Sequence, residues 1–161
     1  MMVCRGVQPA DLAAICAIPA SREELFYAFP AAEVFPLTEP VLAATIAARS
    51  DSTVVEVDGE VAAFANFYRW GEAGCTLGNL MVAPAFRGRG VARYLVRHMM
   101  GLAYRQHGAS RLQLSCFNRN TAGLYLYQSL GFRICGMEPR QDYVQQPVML
   151  LHFELDYRAE G

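Results

Sequence analysis

The apolar run Cys75–Val82 stops at Pro84 and turns through Arg87-Gly88-Arg89-Gly90. It then enters a stretch in which Val91, Leu95, His98/Met99 and Leu102 recur at three- and four-residue spacing. A short apolar run bounded by proline and glycine reads as a strand, the recurrence as one face of a helix, and Gly108 as the helix stop. A strand leading within a few residues into a helix restricts the chain to architectures in which helices cover a sheet. The remaining segments agree. Asp58-Gly59 between TVVEV (53–57) and EVAAFANFY (60–68) is a hairpin turn. LQLSCF (112–117) is followed by the polar turn NRNT and a helix from Ala122 to Leu130 that ends at Gly131; two strands follow, Phe132–Cys135 and Val148–Leu155. Upstream, helices start at Pro9-Ala10-Asp11, run from Glu23 to Phe29, and run from Thr38-Glu39-Pro40 through Arg49, with an aromatic, proline-rich loop in FYAFPAAEVFPLTEP. The order predicts an α/β layer architecture with at least one parallel crossover.

At 161 residues, one domain is expected. All 14 basic residues are Arg, so a lysine Schiff base and the lysine of a nucleotide P-loop are excluded. The net charge of −1 conceals a strong asymmetry: residues 1–72 sum to −6, residues 73–137 hold eight Arg and no acid, and residues 138–161 sum to −3. Such a block fits either an anionic ligand or the solvated face of a helix. Five cysteines without a C-x-x-C pair read as reduced thiols, not as disulfides or a metal site. The start MMVCRGVQPADLAAI lacks a cationic segment followed by an apolar core, and no uncharged run is long enough to span a bilayer, so a cytoplasmic protein is expected.

The turn at 87–92 has the chemistry of an anion cradle. Glycines let the backbone curve closely, successive amides point inward, and the helix start adds positive potential. Arg87, Gly90 and Ala92 match [QR]-x-x-G-x-[GA], and Asn120, Ala122, Tyr127, Leu130, Gly131 and Phe132 match N-x-A-x-x-x-x-Y-x-x-L-G-F. On these two motifs, over residues 53–155, the chain resembles the GNAT acyltransferase superfamily. The resemblance implies a central mixed twisted sheet of six to seven strands flanked by helices on both faces. It also implies one domain, with residues 1–72 mainly on the acceptor side, 73–137 on the acetyl-CoA side and 138–161 supplying C-terminal strands.

The resemblance further implies an N-acetyltransferase with acetyl-CoA as cosubstrate and no metal. Leu80, Met81 and Val82 would present backbone to the pantetheine arm; the amides of Arg87, Gly88, Arg89, Gly90, Val91 and Ala92 would hold the pyrophosphate. Asn120 would bond the cofactor or cap the helix beginning near Ala122. Tyr127 would be the general acid: a phenol of pKa about 10 is protonated at neutral pH and can serve a thiolate whose acid has pKa about 8.5. Tyr125 faces elsewhere. Thr76 stands where some family members carry a Glu base, which leaves Glu72, Glu33 and Asp142 as substitutes. Cys116 has no His at a spacing that would make it a nucleophile. His98 reads as packed, and His107 as bonded to the carbonyls ending its helix. The acceptor is a small-molecule or peptide amine. The −6 of residues 1–72 favours a cationic one, while Phe26, Tyr27, Phe29, Phe35, Phe67, Tyr68 and Trp70 suit an aromatic pocket. A homodimer is a family habit; membrane and nucleic-acid partners are not expected, since the arginines are interrupted by apolar positions and no recognition motif accompanies them. A non-catalytic acyl-CoA-binding or regulatory module is the alternative.

Overall fold

The computed structural model describes residues 1–157. In chain order the elements are β1 (Met2–Gly6), α1 (Leu12–Cys16), α2 (Arg22–Ala28), α3 (Glu39–Ala48), β2 (Ser50–Val57), β3 (Glu60–Arg69), β4 (Cys75–Val82), α4 (Val91–His107), β5 (Arg111–Phe117), α5 (Thr121–Ser129), β6 (Arg133–Gln141) and β7 (Pro147–Asp156). The strands form one mixed sheet in the order β1-β2-β3-β4-β5-β7-β6, antiparallel except for the parallel pair β4 and β5. Helix α4 is the crossover between that pair.

Helices cover both faces, as expected. On one, Val91, Leu95, Val96, Met99 and Ala103 of α4 join Tyr127 of α5 against Val55, Ala63, Ala65, Phe67 and Leu114. On the other, Ile15, Leu25, Ala28 and Leu42 of α1, α2 and α3 pack on Val54, Phe64 and Met81. The Asp58-Gly59 turn has both residues left-handed, at φ 50° and 86°, the geometry that matches strand twist in a two-residue hairpin. Among the described residues no helix is long and apolar enough to cross a membrane.

Three expectations needed correction. Strand β1, on the edge beside β2, was not foreseen. Strand β6 continues to Gln141 through Gly136 and Pro139, because as the other edge it pairs only with β7 and can hold residues a central strand excludes. His107 does not bond its helix carbonyls: its Nε2 lies 2.7 Å from Asp51 Oδ2, while Gly108 at φ 68° closes α4 with its own amide.

Candidate active site

Strands β4 and β5 pair only at Cys75–Leu112 and Thr76–Gln113 and diverge beyond, leaving a wedge between two central strands. The divergence begins where β4 carries a bulge. Asn79 is left-handed at φ 54°, and the register with β3 shifts between Phe64 and Asn66. Asn tolerates this conformation better than most residues, and here its side chain is pinned. Asn79 Oδ1 accepts from Arg49 Nη1 at 2.7 Å and Asn66 Nδ2 at 2.9 Å, while its Nδ2 donates to Ala28 O at 2.7 Å. Past the bulge, the Ala83 amide donates to Ala62 O in β3. By alternation Leu80 and Val82 direct their backbone groups to the opposite, unpaired edge, and Met81 is buried.

The strand ends in a 3-10 turn, Pro84–Phe86, and Gly88 and Gly90 follow at φ 74° and 79°. Helix α4 starts with no side-chain cap and no acid in its first turn, so among the described residues nothing accepts from its leading amides. Arg87, whose amide was expected among those of the cradle, is committed elsewhere: that amide donates to Pro84 O at 3.3 Å and closes the 3-10 turn. Arg87 Nη2 pairs with Glu24 Oε1 at 2.6 Å and its Nε donates to Val82 O at 3.0 Å, fastening the loop to α2 and β4. The Arg87 hydrogen bond holds the Glu24 carboxyl below its ordinary range. Arg89 lies over the Phe86 ring, and Arg93 Nη2 donates to Ser129 Oγ at 2.6 Å.

A cavity of about 740 Å³ follows this edge, lined by Leu80, Met81, Val82, Arg87, Gly88, Gly90, Val91, Ala92, Arg93, Asn120 and Tyr127, among others. All the cofactor-side residues expected from the sequence are there except Arg89, which is exposed on the turn. Asn120 Oδ1 accepts from the Gly123 amide at 3.1 Å and so caps α5. Tyr127 is buried between Phe132 and Phe153, and that burial raises its phenol above the ordinary value. Among the described residues no hydrogen bond engages its hydroxyl, and Tyr127 lines the cavity. Tyr125 is 71% exposed and points away. Cys116 is buried, its thiol pushed up to about 12 by desolvation and its Sγ against the carbonyls of Phe117 and Asn120.

A second cavity of about 460 Å³ lies toward the vertex of the wedge, lined by Thr76–Asn79 of β4 and Gln113–Ser115 of β5. Tyr27 and Ala28 line both cavities. Across its floor run three polar side chains: Ser115 Oγ lies 2.7 Å from His152 Nδ1, and His152 Nε2 lies 3.1 Å from Glu138 Oε1. A carboxylate only accepts, so Nε2 carries the proton, and in the neutral ring Nδ1 accepts from the Ser115 hydroxyl. Glu138 is held below its ordinary range, first by Arg140 and then by His152.

The substitute bases fare differently. Glu33 and Glu72 are exposed, and Glu72 lies beside Gly108 at the opposite end of β4 from the cradle. Asp142 is buried and engaged by Arg119 Nη1 at 2.7 Å and by the amides of Val144 and Gln146. Of the aromatic set, Tyr27 and Tyr68 line the second cavity, Phe26, Phe29 and Phe67 are core, and Phe35 and Trp70 are exposed. His152, Ser115, Glu138, Arg49 and Asn79 were not foreseen. For Asn79, Ser115 and His152 the signal was a polar residue inside an apolar strand run, as in LGNLMV and VMLLHFEL; Arg49, at the end of α3, and Glu138, on an edge strand, gave none.

The family model for "Acetyltransferase (GNAT) family" matches residues 18–132. The chain belongs to the GNAT family. A curated relative, streptothricin acetyltransferase of Streptomyces lavendulae, is 36% identical over 86 residues, a match taking in 52% of this chain and 44% of that protein's length. Among solved structures, an N-acetyltransferase from Staphylococcus aureus Mu50 superposes with TM-score 0.78 at 23% identity, covering 98% of this chain and 99% of that one. An acetyltransferase from Salmonella typhimurium, solved with its cofactor acetyl-CoA, gives TM-score 0.74 at 23% identity, covering 97% and 94%. These structures share the GNAT fold, and within it the wedge, the glycine turn and Tyr127 fall on the matched segment.

Proposed function

We propose that the protein is an acetyl-CoA-dependent N-acetyltransferase that passes acetyl directly from the thioester to the primary amine of a small molecule or peptide. One observation carries this reading. A turn with two left-handed glycines aims acceptor-free amides into a cavity whose wall includes the largely buried Tyr127, and a second polar cavity adjoins it at Tyr27 and Ala28.

The residues fit the cosubstrate. Uncapped amides of Gly88–Ala92 suit a pyrophosphate, and the unpaired edge at Leu80 and Val82 suits an amide-bearing arm laid alongside as an added strand. Val82 O is already bonded to Arg87, which leaves its N–H for that role. Acetyl-CoA, when bound, supplies the acetyl group in activated thioester form. Tyr127 keeps its Oη proton at neutral pH because burial favours the neutral phenol, and gives it to the departing thiolate sulfur. Asn120 holds the start of α5, two turns ahead of Tyr127. His152, oriented by Glu138 and linked to Ser115, takes the proton that an acceptor ammonium must lose before it attacks. Cys116 is no nucleophile: its thiol stays protonated and, among the described residues, only the carbonyls of Phe117 and Asn120 bond it, in keeping with direct transfer.

The proposal extends to a cytoplasmic enzyme that acts with side chains alone, as one chain or a homodimer; residues 1–72 serve mainly the acceptor and residues 73–137 the cosubstrate. The test is thiol release from acetyl-CoA with a panel of primary amines. Turnover of at least one is expected; tight acetyl-CoA binding with no turnover of any amine would favour the non-catalytic module.

A further inference from the structure

The acidic residues of the first 72 positions do not line the second cavity; Glu23 comes nearest, accepting from the Tyr27 hydroxyl at 2.8 Å at the end where the two cavities meet. From that segment the second cavity takes Tyr27, Ala28, Pro30, Arg49, Tyr68 and Arg69, and no Asp or Glu. Five of the segment's ten carboxylates are used elsewhere: Asp11 and Glu56 on Arg5, Glu24 on Arg87, Asp51 on His107, Asp58 on the N-terminal ammonium. Among the described residues the one carboxylate lining the cavity is Glu138, engaged by Arg140 at 3.0 Å and by His152. Its ionisable lining is therefore predominantly cationic, the reverse of what the segment's charge predicted.

Arg49 stands out within that lining. It caps the C-terminus of α3, and its Nη1 donates to Asn66 Oδ1 at 3.2 Å and to Asn79 Oδ1 at 2.7 Å. Tyr68 covers one face, with the guanidinium carbon 5.3 Å from the ring centre. Room for the group is provided by Gly78, where an added Cβ would meet Arg49 Nη1 at 2.6 Å. Among the described residues no carboxylate pairs with Arg49 and nothing accepts from its Nε or Nη2. Burial disfavours its charge. A guanidinium half withdrawn from water, oriented by two asparagines and a ring, with two donors unused, is built to receive a planar oxyanion.

We infer that the acceptor is an amine carrying a carboxylate, of amino-acid size, whose carboxylate is read by Arg49 while its nitrogen lies toward Tyr27 and the cosubstrate cavity. The inference rests on the acetyltransferase reading and names the substrate class of that site. A volume of about 460 Å³ suits a small molecule.

Leucine, phenylalanine and serine are assayed with acetyl-CoA, each beside its amide and its decarboxylated amine: isoamylamine, phenethylamine and ethanolamine. Spermidine represents cationic acceptors. The amides are less basic than the parent amines and the decarboxylated compounds more so, so a shared deficit cannot come from amine basicity. For at least one set, the carboxylate-bearing member is expected to exceed both partners in kcat/KM by about 10- to 100-fold, the worth of a charge-assisted bidentate bond. In Arg49→Gln that preference shrinks at least tenfold, chiefly through KM. Gly78→Ala, which displaces the guanidinium without removing its charge, shrinks it in the same sense. Equal or better turnover of spermidine or the decarboxylated amines by the wild-type chain overturns the inference and leaves the acetyltransferase reading intact. So does an equal loss on all three members of a set in both variants, which would make Arg49 a brace for the bulge. If no amine is turned over, both readings fall.

Discussion

Gly88 and Gly90 show most plainly how a single residue serves the site. Neither has an atom within 4 Å of where a Cβ would lie, so replacement meets no clash, only the cost of the left-handed conformation. Gly88→Ala and Gly90→Ala should each destabilise the chain by about 1 kcal/mol, seen in chemical denaturation. Both should also weaken acetyl-CoA binding in calorimetry, because the turn relaxes away from the geometry that aims its amides. These glycines were legible in the sequence because a local motif encodes them. Arg49, Asn79 and His152 were not, since their partners lie on other strands and only folding brings them together. Their pairings span separations such as Ser115 to His152 and Arg49 to Asn79. At Asn79 and His152 what could be read was the anomaly, a polar side chain in an apolar run, and not its partner.

At the level of elements, the wedge depends on the bulge in β4. Asn79 is buried and makes or receives three side-chain hydrogen bonds that link β4 to β3, α2 and Arg49. Asn79→Ala leaves Asn66, Arg49 and the Ala28 carbonyl short of partners, and a loss of about 2 to 3 kcal/mol is expected in denaturation. The clasp of Glu24 on Arg87 differs, since both side chains are partly exposed and such pairs add little to stability. Glu24→Gln should leave the melting temperature within about 2 °C yet raise KM for acetyl-CoA, because α2 no longer holds the cofactor turn. Central elements were read well from hydrophobic pattern, and the hairpin from Asp58-Gly59. The edges were not: β1 and most of β6 are half-exposed and take Arg5, Gly136, Pro139 and Arg140, so burial imposes no alternation on them.

Across the whole molecule, the charge asymmetry of the sequence is partly cancelled by pairing between segments. The acid-free block from 73 to 137 supplies the cradle, Arg93 and Arg119, while acids of the first segment are paired structurally with Arg5, Arg87 and His107. Two buried carboxylates set the acid limit of the fold. The hydrogen bonds of Arg5 hold Asp11 below the ordinary range. Burial by itself would raise Asp142, but the amides of Gln146 and Val144 with Arg119 outweigh it and lower it. A carboxyl depressed in the folded state contributes stability that is complete above its unfolded value of about 3.9 and is lost as pH falls through the folded one. Melting temperature should therefore be level from neutrality to about pH 5 and drop steeply below about pH 4. Asp11→Asn should lower the neutral plateau by about 2 kcal/mol and make the acid drop shallower.

The central claim is that one side chain, Tyr127, returns the proton to the leaving thiolate, while His152 serves the acceptor amine and the rest of the site binds. It is tested by measuring kcat and acetyl-CoA affinity of Tyr127→Phe beside Tyr125→Phe. The account predicts that Tyr127→Phe loses about 100-fold or more in kcat with acetyl-CoA Kd within about threefold of wild type, and that Tyr125→Phe is unchanged. Full turnover in Tyr127→Phe, or a loss that lies wholly in acetyl-CoA binding, would contradict it.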